Sequence, residues 1–133
     1  MNKIIPILSL LFFIQCYQDP FFELTVKIKD QNSNPVSDVL VKIEIIDLNN
    51  GSVVEESIIE EYFEETTNSS GEASFSFDNK ALVTARVCYQ NTSSLLYCAQ
   101  GHVYLEENKT QQLELMLQSS AVEHDECSYC VEF

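Results

Sequence analysis

The sequence predicts an all-β fold, a single two-layer β-sandwich of about seven strands. Three observations carry that expectation. Apolar and polar residues alternate in short runs, as they do in strands with one buried face. Clusters of Asn, Asp, Gly and Pro separate the runs at regular spacing. No stretch carries a convincing helical period. The chain has 133 residues, room for one domain of ordinary size.

The alternation begins at Phe22. Leu24, Val26 and Ile28 interleave with Glu23, Thr25, Lys27 and Lys29, which predicts a half-buried strand. Asp30 to Pro35, DQNSNP, is turn chemistry: Asp and Asn bond their own backbone, and Pro presets φ. Val39, Val41, Ile43 and Ile45 mark the next strand, closed by Asn49-Asn50-Gly51, a hairpin signal. Residues 53–65, VVEESIIEEYFEE, fit a helix by the spacing of Val54, Ile58 and Tyr62, or two short strands by their β-branched residues. Strands are preferred because their surroundings are β. The six glutamates there read as a solvated face, since a Ca²⁺ loop needs closely fixed ligand spacing with a glycine bend.

Asn68 to Gly71 is a further turn, and Ala73, Phe75 and Phe77 then alternate cleanly with Glu72, Ser74 and Ser76. Val83, Ala85, Val87 and Tyr89 form one face of the following strand, with Thr84, Arg86 and Cys88 on the other. After a polar loop at Gln90 to Ser94 the chain returns over Leu95 to Ala99. Val103 and Leu105 begin a separate short strand, and Leu113, Leu115 and Leu117 mark the last one.

The N-terminus has its own character. In MNKIIPILSLLFFIQC, Lys3 precedes an apolar stretch from Ile4 to Ile14, too short to span a bilayer and matched to the apolar core of an export signal. No small-residue pattern suits ordinary signal cleavage near residues 12–20. Phe13-Ile14-Gln15-Cys16 instead resembles a bacterial lipobox, in which the cysteine becomes the acylated first residue. Gln15 departs from the usual Gly, Ala or Ser, a departure that a relaxed lipobox of the kind seen in spirochaetes would tolerate. The expected organisation is a signal over 1–16 ending at the lipidated Cys16, a tether over 17–21, a β-sandwich over 22–118 and a cysteine-containing tail over 119–133. At about 3.4 Å per residue, the tether keeps the domain within roughly 20 Å of the membrane. That distance favours a membrane-proximal partner.

There are five cysteines: Cys16, Cys88, Cys98, Cys127 and Cys130. With Cys16 lipidated or removed, four remain to form disulfides. A symmetric hairpin sets Tyr89 opposite Tyr97 and Cys88 opposite Cys98, so a Cys88–Cys98 staple is the first expectation. The tail motif Cys127-Ser-Tyr-Cys130 is read as a local disulfide or as pairing back to the body. Two rival readings of the tail are a redox site and a zinc site on His124, Cys127 and Cys130 with a carboxylate. The redox site lacks a βαβ setting, and the zinc site lacks a second cysteine pair.

LTVKIKD (24–30), the Asn34-Pro35-Val36 turn and VLVKI (39–43) resemble the start of bacterial Ig-like and carboxypeptidase-regulatory-like (transthyretin-like) domains. TNSSGEASF (67–75) is similar to their second signature. Val103 to Leu105 with LELML (113–117) is similar to their last two strands. The resemblance covers about residues 22–118 and implies an Ig-like or transthyretin-like sandwich in a non-enzymatic adhesion, spacing or binding module. It carries no catalytic residue. In it Pro35 fixes a turn and Gly71 supplies a positive φ or a bulge.

A net charge of −14 argues against nucleic acid, which needs a basic stripe, and against electrostatic docking on anionic lipid. The two histidines, His102 and His124, come with no hydrolase, metalloprotease or phosphate-loop motif, so no enzyme and no cofactor is expected. Four N-x-[ST] sequons fall at Asn50, Asn68, Asn91 and Asn108, all in predicted loops. The expected function is a lipid-anchored binding or structural module of the cell envelope. Its partners would be the membrane, through the anchor, and an envelope protein or polymer. The alternatives are a soluble secreted module and a metal or redox protein using the tail.

Overall fold

A computed structural model describes residues 17–46, 63–92, 95–119 and 127–132. Cys16, Asn50, His124 and most of the ambiguous 53–65 stretch lie outside the described residues. The fold is a β-sandwich. Its strands are β1 (Phe22–Lys29), β2 (Leu40–Ile46), β3 (Glu64–Thr66), β4 (Glu72–Phe77), β5 (Leu82–Gln90), β6 (Leu96–Tyr104), β7 (Lys109–Met116) and β8 (Gln118–Ser119). One sheet has the order β4-β1-β7 and the other β3-β2-β5-β6-β8. Strand β1 is central in the first sheet, antiparallel to β4 and parallel to β7.

Period two explains the layers. Phe22, Leu24, Val26 and Ile28 are buried in β1 while the residues between them are not. They meet Val41 and Ile43 of β2 and Val83, Ala85 and Val87 of β5 in a single core, joined by Ala73, Phe75, Phe77 and Leu115. The outer faces carry cross-strand ion pairs: Lys27–Glu72 at 3.0 Å, Lys42–Glu64 at 3.0 Å, Lys29–Glu114 at 2.8 Å and Arg86–Glu44 at 2.8 Å. Each is partly solvated and contributes roughly 0–1 kcal/mol. Apolar burial therefore holds the layers together, and the ion pairs mainly fix strand register.

Strand β6 corrects the expectation of two short segments. It runs unbroken from Leu96 to Tyr104 and pairs with β5 along its whole length. Gln100-Gly101-His102, between the two expected segments, contains a glycine, which in a strand often marks a close approach of another backbone or side chain. Here Gly101 pairs with Ala85, and a side chain at this position would meet Leu115 Cδ2 at 2.7 Å. The glycine marks a close approach of the two sheets. The last apolar run also divides. Strand β7 ends at Met116, Leu117 donates its N–H to Lys29 O at 2.8 Å, and β8 then joins the opposite sheet beside Tyr97 and Cys98.

The turns use the chemistry their sequences announce. Asp30 Oδ1 accepts the N–H groups of Asn32 (2.8 Å) and Asn34 (2.9 Å). Asn68 Oδ1 accepts those of Ser70 (2.9 Å) and Glu72 (3.1 Å). Asn91 Oδ1 accepts from Leu95 N at 3.1 Å, and Asn108 adopts a positive φ of 56° while exchanging backbone and side-chain bonds with Phe21. Three of the four sequon asparagines thus hold turns, which gives their placement a structural reason. Thr67 is buried between two loops: its hydroxyl donates to Val36 O at 2.8 Å and accepts from Val39 N at 3.0 Å. Thr67→Val keeps the shape but leaves both groups unpaired. It is expected to lower stability by about 2 kcal/mol in a urea melt.

Candidate functional site

Two features share one end of the sandwich. Strand β1 starts beside Asn108 and Phe77 and runs to the Asp30 turn. With eight residues at about 3.3 Å each it spans roughly 26 Å. At its far end the Asp30–Pro35 turn, the β5–β6 hairpin and the β7–β8 crossing come together around a cleft of about 380 Å³. Gln31 and Asn32 stand on its rim beside Asp30. Tyr89 and Tyr97 form its aromatic wall, with Val36 and Leu117 as apolar lining and Asn91 closing the hairpin side. The tyrosines are register partners, with ring centroids 6.3 Å apart and planes tilted by 38°. A concave site with apolar and aromatic lining and a few polar groups is the usual form of a ligand pocket.

The Asp30 carboxyl is held below its ordinary value of 3.8, chiefly by the backbone N–H of Asn34. Desolvation opposes this, while the Asn32 N–H and the Asn34 side chain add to it. The lowered value means that the folded state favours the carboxylate. The stabilisation is therefore present above the unfolded value near 3.8 and is lost as pH falls through the lower folded value. An NMR titration is expected to show the Asn32 and Asn34 amide signals moving together with a midpoint below 3.8, and Asp30→Asn is expected to abolish that transition.

The second feature is the tail. Cys88 and Cys98 do sit opposite each other on β5 and β6, as the hairpin register requires. They are not bonded to each other, which corrects the expected staple. Cys88 bonds Cys130 and Cys98 bonds Cys127, with Cα–Cα separations of 5.8 and 5.6 Å. Of the two readings of the C-x-x-C motif, pairing back to the body is the one found. The physical reason lies in the tail's conformation. Cys130 N donates to Cys127 O at 3.0 Å at the start of a 3₁₀ turn, Ser128–Glu132. In 3₁₀ geometry residues i and i+3 eclipse, so both tail sulfurs face the same way. Side-by-side cysteines on two strands offer a matching pair. Tyr129, between the two, lies over Arg86, whose Cζ is 5.6 Å from the ring centroid.

This connectivity also bears on the zinc and dithiol readings of the tail, of whose candidate residues His124 lies outside the described residues. Cys127 and Cys130 each give their sulfur to a different body cysteine, and a zinc ligand must be a thiolate. Among the described residues no group of three or more His, Cys, Asp and Glu is placed to hold a metal ion. His102 meets Thr84 Oγ1 through Nδ1 at 2.7 Å on the outer face of the five-stranded sheet. No helix among the described residues is long and apolar enough to cross a membrane.

Sequence reasoning missed the cleft, although Tyr89 and Tyr97 were already placed as partners. The missing information was that the Asp30 turn and Leu117 converge on them from the other sheet. Cysteine and tyrosine are adjacent on both strands, so the disulfides on the outer face restrain the ends that present the two rings on the inner one. Compared with known proteins, the chain matches no protein-family model and no curated protein.

Proposed function

We propose that this protein is an exported, lipid-anchored, non-catalytic module that presents the far-end cleft to an envelope protein or polymer. The observation that carries the reading is the closed set of disulfides. Cys88, Cys98, Cys127 and Cys130 satisfy one another in two bonds, so Cys16 has no partner among them. The lipobox-like FIQC context offers acylation as its role. Disulfides of this kind fit an oxidising, exported setting. The β-sandwich and its resemblance to Ig-like and transthyretin-like domains fit a module that binds rather than catalyses, an argument at the level of fold.

Strand direction refines the reading. The chain enters the domain at Phe21 and Phe22, and the cleft lies at the other end of β1. A domain tethered through Cys16 would hold its cleft away from the membrane, so the partner is engaged on the outer side of the domain. This replaces the preference for a membrane-proximal partner. Mass spectrometry of the mature N-terminus tests the anchor. A diacylated or triacylated Cys16 is expected, with Cys16→Ala moving the protein from the membrane to the soluble fraction. An unmodified N-terminus at Tyr17 would establish a soluble secreted module instead.

A further inference from the structure

We propose that the cleft between the Asp30 turn and the Tyr89–Tyr97 pair binds a neutral saccharide chain; this rests on the reading of that cleft as the partner-binding surface. Three properties of the lining select this chemistry.

The first is aromatic. Tyr89 and Tyr97 are half-buried, with centroids 6.3 Å apart. Aromatic rings offer a large, conformationally stiff contact and a hydroxyl at the tip. The C–H faces of a pyranose are apolar and its edges are polar, which suits such a ring.

The second is the rim. Gln31 and Asn32 are exposed at the cleft edge and carry primary amides. An amide donates and accepts at once, and so does each sugar hydroxyl. Asn91 is already fixed as part of the wall by its bond from Leu95 N at 3.1 Å.

The third is charge. Among the described residues the lining has no Lys, Arg or His, so a phosphate, sulfate or uronate meets no counter-charge from them. The one carboxylate among the described lining residues, Asp30, is committed to the N–H groups of Asn32 and Asn34. The excess of acidic residues over the whole chain adds a field that repels polyanions. A cationic ligand would compete with the turn's own hydrogen bonds for that carboxylate. What remains is a neutral ligand with polar edges and apolar faces. Restraint of β5 and β6 by the disulfides beside the tyrosines lowers the ordering cost of binding, which strengthens the site.

The test is a titration of the isotope-labelled exported domain, disulfides intact, followed by amide shifts. The probes are neutral oligosaccharides (gluco-, manno-, xylo- and chito-oligomers), polygalacturonate as an anionic control, and a proline-rich peptide. At least one neutral oligomer is expected to shift Gln31, Asn32, Tyr89 and Tyr97 together, with no effect of polygalacturonate. Gln31→Ala, on the exposed turn, is expected to weaken binding a few-fold, and Tyr97→Ala by about tenfold with the rest of the amide spectrum unchanged. If Tyr97→Ala perturbs the fold, Gln31→Ala carries the comparison. Shifts at these residues from the peptide alone would overturn the saccharide assignment while keeping the cleft as a binding surface. Silence from every probe, or saccharide shifts confined to another face, would overturn both.

Discussion

Serine in place of Cys88, Cys98, Cys127 and Cys130 together is expected to lower the unfolding free energy by about 5–7 kcal/mol. The two bonds are nested. Cys88–Cys130 closes a separation of 42 residues, and Cys98–Cys127 one of 29. On loop-closure grounds the first bond contributes about 4 kcal/mol. The second, formed when the first is in place, closes an effective ring of only about 15 residues and contributes about 3 kcal/mol. Removing one matched pair, Cys98 with Cys127 or Cys88 with Cys130, is therefore expected to cost roughly 3 kcal/mol. The full loss approaches the whole stability of many domains, about 5–15 kcal/mol. Urea melts of the oxidised, reduced and four-serine proteins check it: reduced and four-serine midpoints should coincide well below the oxidised one. Peptide mapping under non-reducing conditions should recover Cys88 linked to Cys130. Recovery of a Cys88–Cys98 peptide pair, or equal midpoints, would contradict this account.

Gly71→Ala is expected to destabilise by about 3 kcal/mol. Gly71 has φ +72°, in the left-handed region where a Cβ is unfavourable. An added Cβ would also lie 2.7 Å from Ile28 O, 2.9 Å from Pro35 Cβ and 3.0 Å from Val36 N. Two of those atoms are backbone and cannot turn aside. The glycine carbonyl accepts from Ile28 N at 2.8 Å, and Val36 N donates to Ile28 O at 3.0 Å. One position thus ties the end of β1 to two loops. Chemical denaturation of the variant should show an earlier midpoint with an unchanged slope. A wild-type midpoint would mean that the turn relaxes freely.

Much of this was readable from local pattern. Leu24, Val26 and Ile28 face the core because a strand alternates with period two, and Gly71 and Pro35 stand where their backbone preferences are needed. What resisted reading depends on long-range approach. Leu95 to Ala99 and Val103 to Leu105 looked like separate segments because the leucines that fill the side-chain space of Gly101 between them are on β7, in the other sheet. The run 113–117 looked like one strand because a change of sheet at Leu117 leaves no mark in a period-two pattern. The four cysteines were recognised as a set, but their partners depend on the conformation of a tail whose 3₁₀ turn has no comparable signature. The cleft depends on three segments distant in sequence, and only the tyrosine pair among them is a local relation.

The opposition of Cys88 and Cys98 on one hairpin also bears on how the molecule matures. The chain emerges from N- to C-terminus, and these two sulfurs are ten residues apart in a contiguous hairpin. Cys127 and Cys130 arrive last. An oxidant acting on the hairpin before the tail arrives would join Cys88 to Cys98, and the tail would then be left to oxidise on itself. Both bonds of that early product must be exchanged before the nested pair can form, which requires a free thiolate from a reductant or an isomerase. An oxidising environment alone is therefore not enough for the nested pair; the yield of folded protein should depend on how well a first, locally sensible mistake is corrected.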